Sequence, residues 1–337
     1  MNAPRKPRNP RVGLRTSATL ATVFVILGHT VFGFEQPVSD VLVALVTGYT
    51  CALFFEWVDA RACGDVPGFM GGGPGKVVDF LLSAHMTSIT LSFLLYFNRR
   101  LWIMAFAVAI AIGSKYVLRV RQNGRLQHFM NPSNFAIAVV LAFYTWTGML
   151  PWSYTINLHG VWDWVVPLII VALGMRLNLL FTGRLPTIGA WLVTFIVLAF
   201  VRAAFQDSKV VAELGVLTGI PMVLFTFYMI TDPQTSPSRL RSQLFFGSSI
   251  AFAYSVLLIL HVQYTMFYSV TAVCAIRGMW LASLGFRESA VKAVPTAAPV
   301  KILTPIPTLA LPELHPVVNR NGANIRDERA QLLKPNA

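Results

Sequence analysis

Asn131 and Asp232 each stand directly before a proline, in HFMNPSNFA (His128 to Ala136) and MITDPQTSPS (Met229 to Ser238), and both stretches open onto or close apolar runs. A proline cannot donate a backbone hydrogen bond, and it biases the residue before it away from helical geometry, so a helix stops or starts at each. Ser133 and Asn134 flank the first break, and Thr231, Thr235 and Ser236 the second. These small hydroxyl and amide groups can satisfy freed backbone groups at membrane depth, where irregular backbone needs protein or a water-filled cavity around it. Interrupted helices also leave N–H groups aimed at whatever lies opposite. Basic residues sit close by. Lys115, ending a helix in IGSKYVLR, can pair with a helix C-terminus, an acidic residue or a bound anion. Beside a broken-helix cradle it would suit a phosphate or a polarised flavin ring; lipid headgroups suit Arg119, Arg121 and Arg125. The candidate binding set is therefore Ser114, Lys115, His128, Asn131, Ser133, Asn134, Thr231, Asp232 and Thr235. The competing reading, ordinary loop-to-helix caps at a membrane surface, fits the same residue types.

The elements that must position this set follow from composition. The chain has 337 residues, 55% hydrophobic and only 12% charged, about half the charge of a soluble domain. Apolar runs of roughly 17 to 22 residues, each able to cross a ~30 Å hydrocarbon layer, occur ten times. Their approximate spans are 16–34, 39–57, 78–97, 101–117, 133–150, 163–181, 186–204, 214–231, 244–262 and 265–284, with the boundary between the last two at the turn near His261 to Tyr264. The expected fold is all-α and integral to the membrane. One interruption falls near 128–136 and the other near 229–238, which suggests two five-helix repeats, about 16–150 and 163–284. Because five is odd, the second must be inverted in the membrane, an arrangement that builds a central site from half-helix ends.

A net charge of +13 does not make this a nucleic-acid binder, because the basic residues follow the loops instead of gathering on one face. Arg5, Lys6, Arg8, Arg11 and Arg15, then Arg61 and Lys76, then Lys115, Arg119, Arg121 and Arg125, then Arg176 and Arg184, then Arg239 and Arg241 fall on one side. By the positive-inside rule that side is cytoplasmic, with both termini there, in an inner or plasma membrane whose lipid is the first partner. Arg99, Arg100, Arg202 and Lys209 fall opposite. Residues 1–15 form a basic N-terminus and 16–285 the membrane domain. Residues 286–337, rich in proline and alanine, read as a disordered cytoplasmic tail. Cys51, Cys63 and Cys274 show neither disulfide nor metal-ligand spacing. The glycine-rich 58–77 loop fails as a phosphate-binding Walker loop, with Met70 and Val77 where it needs Gly and a hydroxyl. His85 lies in a polar stripe with Ser83, Thr87, Ser88 and Thr90, a packing residue or a proton relay.

SK at 114–115, HFMNPSNFAIAVV at 128–140 and TGIPMVLFTFYMITDPQTSP at 218–237 resemble the NqrB/RnfD superfamily of membrane electron-transport subunits. Within it, GHTVFGFEQ at 28–36, LLSAHMTS at 81–88 and LHVQYTMFYSVTAVCAIRG at 260–278 look closest to UnbU-type membrane proteins of enediyne biosynthesis clusters. The resemblance covers about residues 16 to 285 and leaves the tail out. It implies ten helices in two inverted repeats, a fold similar to that of urea channels, and flavin. Its redox members carry a covalent flavin mononucleotide on the threonine of a Gly-Ala-Thr sequence. Here the nearest approaches, Thr182-Gly183-Arg184 and Thr187-Ile188-Gly189-Ala190-Trp191, lack it, so a covalent flavin is not expected, and a noncovalent flavin and a loss of redox function both stay open. Partners so implied are other subunits of a redox complex or biosynthetic enzymes. Cysteine clusters, haem-ligand patterns and a nicotinamide loop are missing, so the chain alone cannot complete an electron path. Three function classes stay open: a flavin-associated electron-transfer or redox-coupled ion-transport subunit, a transporter or channel for a small solute or natural product, and a non-catalytic scaffold. No motif decides whether the chain is an enzyme.

Overall fold

The apolar runs are helical in the computed structural model, which describes residues 10–293 apart from 35, 98–99, 123–124, 145, 150–156 and 158. Residues through Ala290 form one compact unit. Arg5, Lys6, Arg8, Glu35, Arg99, Trp152 and the tail beyond Ala293 lie outside the described residues.

In chain order the elements are α1 (Pro10–Leu27), α2 (Val38–Cys63), α3 (Gly73–Leu94), β1 (Leu95–Tyr96), α4 (Leu101–Val117), β2 (Arg119–Gln122), β3 (Arg125–His128), α5 (Pro132–Phe143) and β4 (Gly148–Met149). Then follow α6 (Trp162–Leu177), α7 (Leu185–Gln206), α8 (Val210–Gly215), α9 (Ile220–Leu224), α10 (Leu240–Ile259) and α11 (Thr265–Ala293). Helices α1 and α6 both run into a five-residue π-helical turn, Gly28–Phe32 and Asn178–Thr182. Each turn ends at a left-handed glycine, Gly33 at φ 69° and Gly183 at φ 65°, whose N–H caps the carbonyl five residues back. Only glycine enters that region without a steric cost, so these positions stop the helices.

Among the described residues, seven helical runs are long and apolar enough to cross a membrane: Arg11–Phe32, Val38–Cys63, Gly73–Leu94, Trp162–Thr182, Leu185–Gln206, Leu240–Ile259 and Thr265–Leu284. An eighth is a broken one, Val210–Thr218 followed by Ile220–Met229 with a 68° bend at Gly219 and Pro221. This is a multi-pass membrane protein. Its outward faces carry exposed Val46, Phe54, Leu168, Phe205 and Phe245, a surface that water would not tolerate and lipid does. The ten runs of the sequence are therefore seven or eight spans by this measure. The remaining two, α4 and α5, are short at 17 and 12 residues. At 1.5 Å per residue the second reaches only ~18 Å. The apolar run read as 133–150 stops as a helix at Phe143, because Tyr144 turns extended and Gly148–Met149 pairs antiparallel with Leu95–Tyr96. The predicted turn at His261 to Tyr264 is present, with both named residues left-handed and α11 starting at Thr265. Residues 286–293, read as the start of the tail, continue α11.

Helices α4 and α5 compensate for their shortness by burial. Ile103, Met104, Ala107, Val108 and Ala111 of α4 meet Ala136, Ile137 and Val140 of α5 in one core that continues through Trp191, Phe195, Phe225, Phe246 and Phe267. Small residues permit the close approach that van der Waals packing between membrane helices requires. A Cβ added at Gly247 of α10 would collide with the Thr187 carbonyl and the Trp191 N–H of α7.

Candidate functional site

The first interruption is built from Asn131. Its backbone is extended, Pro132 opens α5, and its Oδ1 accepts the Asn134 N–H at 3.1 Å as an N-cap. Its Nδ2 donates to the Met229 carbonyl at 3.1 Å, at the edge of the second interruption. Asn134 Nδ2 reaches α11, donating to the Phe267 carbonyl and to Thr271 Oγ1, both at 2.9 Å. The two breaks, about a hundred residues apart in sequence, are thus joined by a hydrogen bond.

The second interruption is a loop wound on Asp232. Its carboxylate accepts the Gln234 N–H at 3.3 Å and the Thr235 hydroxyl at 3.1 Å, and its carbonyl accepts the Ser236 N–H and hydroxyl. Thr231 donates its hydroxyl back to the Phe227 carbonyl at 2.8 Å. Two guanidiniums hold this loop. Arg184, at the start of α7, donates to Ser236 Oγ at 2.8 Å and to the Pro233 and Ser236 carbonyls at 3.2 Å. Arg277 of α11 donates to the Thr235 carbonyl at 2.8 Å. All these acceptors are neutral.

Between this loop, the β2–β3 hairpin and helices α2, α3 and α4 lies a cavity of about 500 Å³. Lys115 and His128 line it, as do Glu56, Ser83, Tyr116 and Arg119. The hairpin register pairs Arg119 with His128, which brings His128 back beside the end of α4. The Lys115 ammonium donates to Ser83 O at 3.2 Å, Ser83 Oγ at 3.0 Å and Thr87 Oγ1 at 2.9 Å. It forms no ion pair among the described residues. Two acids of α2 stand nearby, Glu56 in the cavity lining and held by neutral donors, Asp59 outside it and ion-paired. Glu56 accepts the Tyr116 hydroxyl at 3.1 Å and the Gly68 N–H at 2.7 Å, while Asp59 takes Arg119 at 2.8 Å. Burial pushes the His128 imidazole below its ordinary value, Lys115 and Arg119 add to that, and Asp232 opposes it.

The structure assembles the predicted set unevenly. Lys115 and His128 line the cavity, with Asp232 in electrostatic reach of both. Asn131, Asn134, Thr231 and Thr235 build the two breaks and spend their hydrogen bonds there. Ser114 is buried and bonds its own helix at Ala111 O, and Ser133 is buried in the first turn of α5. Arg119, read with the lipid-facing basic residues, lines the cavity and stacks over Tyr116 at 4.6 Å. Ser83 and Thr87 were visible only as part of a polar stripe; their four-residue spacing on α3 was the available signal. Glu56 carried the signal of a charge inside the apolar run 39–57, and Gln234 carried none. His85 is a satisfied packing residue, with Tyr49 OH on Nδ1 at 2.7 Å and Thr22 Oγ1 on Nε2 at 2.8 Å.

No family model and no curated protein matches this chain. Function has to be argued from the cavity itself. As for flavin attachment, Thr187 is fully buried against Gln243, and the Thr182 hydroxyl donates to Asn178 Oδ1 at 2.7 Å. Neither nearest-approach threonine lines the cavity.

Proposed function

We propose that this membrane protein binds a phosphate-bearing anionic ligand, of the flavin mononucleotide class and held noncovalently, in the cavity where its two helix interruptions meet. The observation that carries the reading is Lys115, a cation that lines the cavity while bonded only to neutral oxygens. A buried charge without a partner is costly in a membrane and usually serves a ligand. The volume falls in the range of small-molecule sites. Phe80 and Tyr116 give it aromatic walls, and Arg119, though paired with Asp59, adds guanidinium N–H groups to the lining. Such a cofactor would supply electron transfer. The chain's own residues would bind the phosphate at Lys115 and keep the cavity walls fixed through the Asn131 and Arg184 contacts.

In this reading the chain is an electron-transfer or redox-coupled ion-transport subunit supporting natural-product biosynthesis, as the NqrB/RnfD and UnbU resemblance implies, and it works with other subunits or biosynthetic enzymes. It has ten membrane helices in two inverted repeats, with both termini and the basic hairpin in the cytoplasm of a cell with an inner or plasma membrane. Supporting the duplication are the matching π turns and glycine stops of α1 and α6. Supporting the orientation is the positive charge of the loops.

The test is a visible spectrum of protein purified in detergent, followed by denaturation and acid precipitation. Yellow colour in the supernatant, and its loss in Lys115→Met, are expected. A colourless preparation that also fails to bind added flavin mononucleotide overturns the proposal. One observation favours a second reading: the loop of the second helix interruption, at Pro233 and Gln234, forms part of the cavity wall, and transporters build their sites beside such breaks. Solute movement in liposomes by a flavin-free preparation would select it.

A further inference from the structure

The glycine-rich link between α2 and α3 lacks the residues of a phosphate-binding loop, yet it is tied to the cavity at two points. Gly64 stops α2 in the left-handed region at φ 73°, and Gly71 bends the chain again at φ 77°. A Cβ at either would meet nothing within 4 Å, so backbone conformation, not packing as at Gly247, is what requires glycine there. Between them Pro67 to Met70 close a turn of their own, with the Met70 N–H on the Pro67 carbonyl at 2.9 Å. This turn folds back along α2 by about 10 Å, from the helix end at Cys63 to Glu56, whose Oε1 accepts the Gly68 N–H at 2.7 Å. Beside it the Phe69 ring packs on Phe80 of α3, with centroids 5.6 Å apart. Glu56 and Phe80 both line the cavity.

The turn therefore stands behind two lining side chains and supports both. Lys76 adds a third tie, donating to the Met70 carbonyl at 2.6 Å, while Val66 and Met70 leave their side chains exposed. A segment with little buried apolar area and few tertiary bonds opens at low free-energy cost. Glycines at its two ends, with no side-chain neighbours to hold them, are positions that can absorb the change in φ and ψ. Because Gly68 and Phe69 sit on one turn, a single swing would release Glu56 and Phe80 together. The carboxylate and the ring could then move aside, which uncovers the cavity between α2 and α3.

We infer that residues 65–70 are a lid that closes the α2–α3 side of the cavity, latched by Gly68 on Glu56 and by Phe69 on Phe80 and hinged at Gly64 and Gly71. The lid regulates the site of the proposed function and rests on that cavity being the site. Its experiment reads access without any ligand, so a failed flavin measurement and a failed lid are told apart. Ala84 is buried and lines the cavity. The probe is Ala84→Cys in full-length protein that also carries Cys51→Ala and Cys63→Ala, treated in detergent with a water-soluble maleimide and read by mass spectrometry. Cys274, buried in the core, is kept to report unfolding. The introduced thiol should react far more slowly than a free one. Phe69→Ala should raise its labelling rate by about twofold to tenfold, the weight of one aromatic pair. Gly68→Ala, whose Cβ would stand 2.8 Å from the Glu56 carboxylate, should act in the same direction. Labelling of Cys274 should not change. A parent that reacts as fast as a free thiol overturns the inference, and so do variants that both label at the parent's rate. A rise that Cys274 matches also overturns it, because the variants then act by unfolding. If Phe69→Ala fails to fold, Gly68→Ala and the parent decide the matter.

Discussion

Replacing Lys115 by methionine separates a ligand-binding lysine from a packing one, because the two roles predict opposite patterns. The substitution keeps the apolar stem and deletes the ammonium. Its three acceptors are Ser83 O, Ser83 Oγ and Thr87 Oγ1, and the Thr87 hydroxyl already donates to Ser83 O at 2.9 Å. No buried donor is orphaned when the lysine goes. The desolvation cost of a buried cation disappears at the same time, so stability should change by less than about 1 kcal/mol, in either direction. An anion bound to that ammonium would lose a charge-assisted bond of about 1.5–3 kcal/mol, which is about tenfold to 150-fold in affinity. Lys115→Arg keeps the charge and should lose less than about tenfold. The assay is flavin mononucleotide binding by fluorescence quenching at low salt, paired with thermal unfolding followed by tryptophan fluorescence. If the methionine variant binds within about threefold of wild type yet melts ~4 °C lower, roughly 3 kcal/mol for a chain this size, Lys115 is a packing residue and the anion site is refuted.

Asn131→Ala should cost about 2–4 kcal/mol, about 1 for the lost N-cap to Asn134 and about 1–3 for the orphaned Met229 carbonyl, read as a lower unfolding temperature. Asn131→Asp, which keeps the cap oxygen, should recover only part of that. The His128 imidazole sits below its ordinary value of 6.5, so the unfolded chain takes up a proton first as pH falls. Stability is therefore complete above about pH 6.5 and declines below it until the folded imidazole also protonates; His128→Gln should flatten that slope between pH 5 and 7 in unfolding measurements. Gly247→Val drives a branched side chain into the Thr187 carbonyl and Trp191 N–H, and should abolish the folded peak in size-exclusion chromatography, whereas Gly189→Ala, with open space around it, should not.

Much of the membrane body could be read from apolar run length, because hydrocarbon thickness sets a length that soluble cores do not impose. Run length fails where a strand or a bend intervenes. The 133–150 run is apolar to its end, yet Tyr144 turns extended and Gly148–Met149 pairs with Leu95–Tyr96, a contact no local pattern encodes. The proline breaks were legible because Asn-Pro and Asp-Pro have local backbone consequences, and the structure joins them through Asn131 and Met229. The partners of Lys115 were not, since Ser83 and Thr87 lie about thirty residues earlier on another helix. Arg202 shows the same limit. It was assigned to a loop, yet it is only 1% exposed, paired with Glu213 at 2.8 Å and bonded to Ser255 of α10. Composition sees an arginine near the end of an apolar run; it cannot see the acid that the turn at Asp207, between α7 and α8, brings back over it.

The second interruption also explains how Arg184 and Arg277 are held without a carboxylate partner. A continuous helix consumes its own carbonyls, so cations near it must pair with carboxylates, and the pair is neutral. Where the chain breaks at 231–236, freed carbonyls of Pro233, Thr235 and Ser236 take Arg184 and Arg277 instead, and on α3 the Ser83 carbonyl and hydroxyl take part of Lys115. Carbonyl dipoles orient these cations without cancelling their charge. Around the cavity Arg119 pairs with Asp59, Glu56 keeps its charge while held by the neutral donors Tyr116 and Gly68, and Asp232 acts on Lys115 and His128. The space is partly desolvated, so each of these charges acts more strongly than in water. Irregular backbone thus supplies the neutral anchors of Arg184 and Arg277 at the second break, while Lys115 takes its own from Ser83 and Thr87 of the unbroken α3.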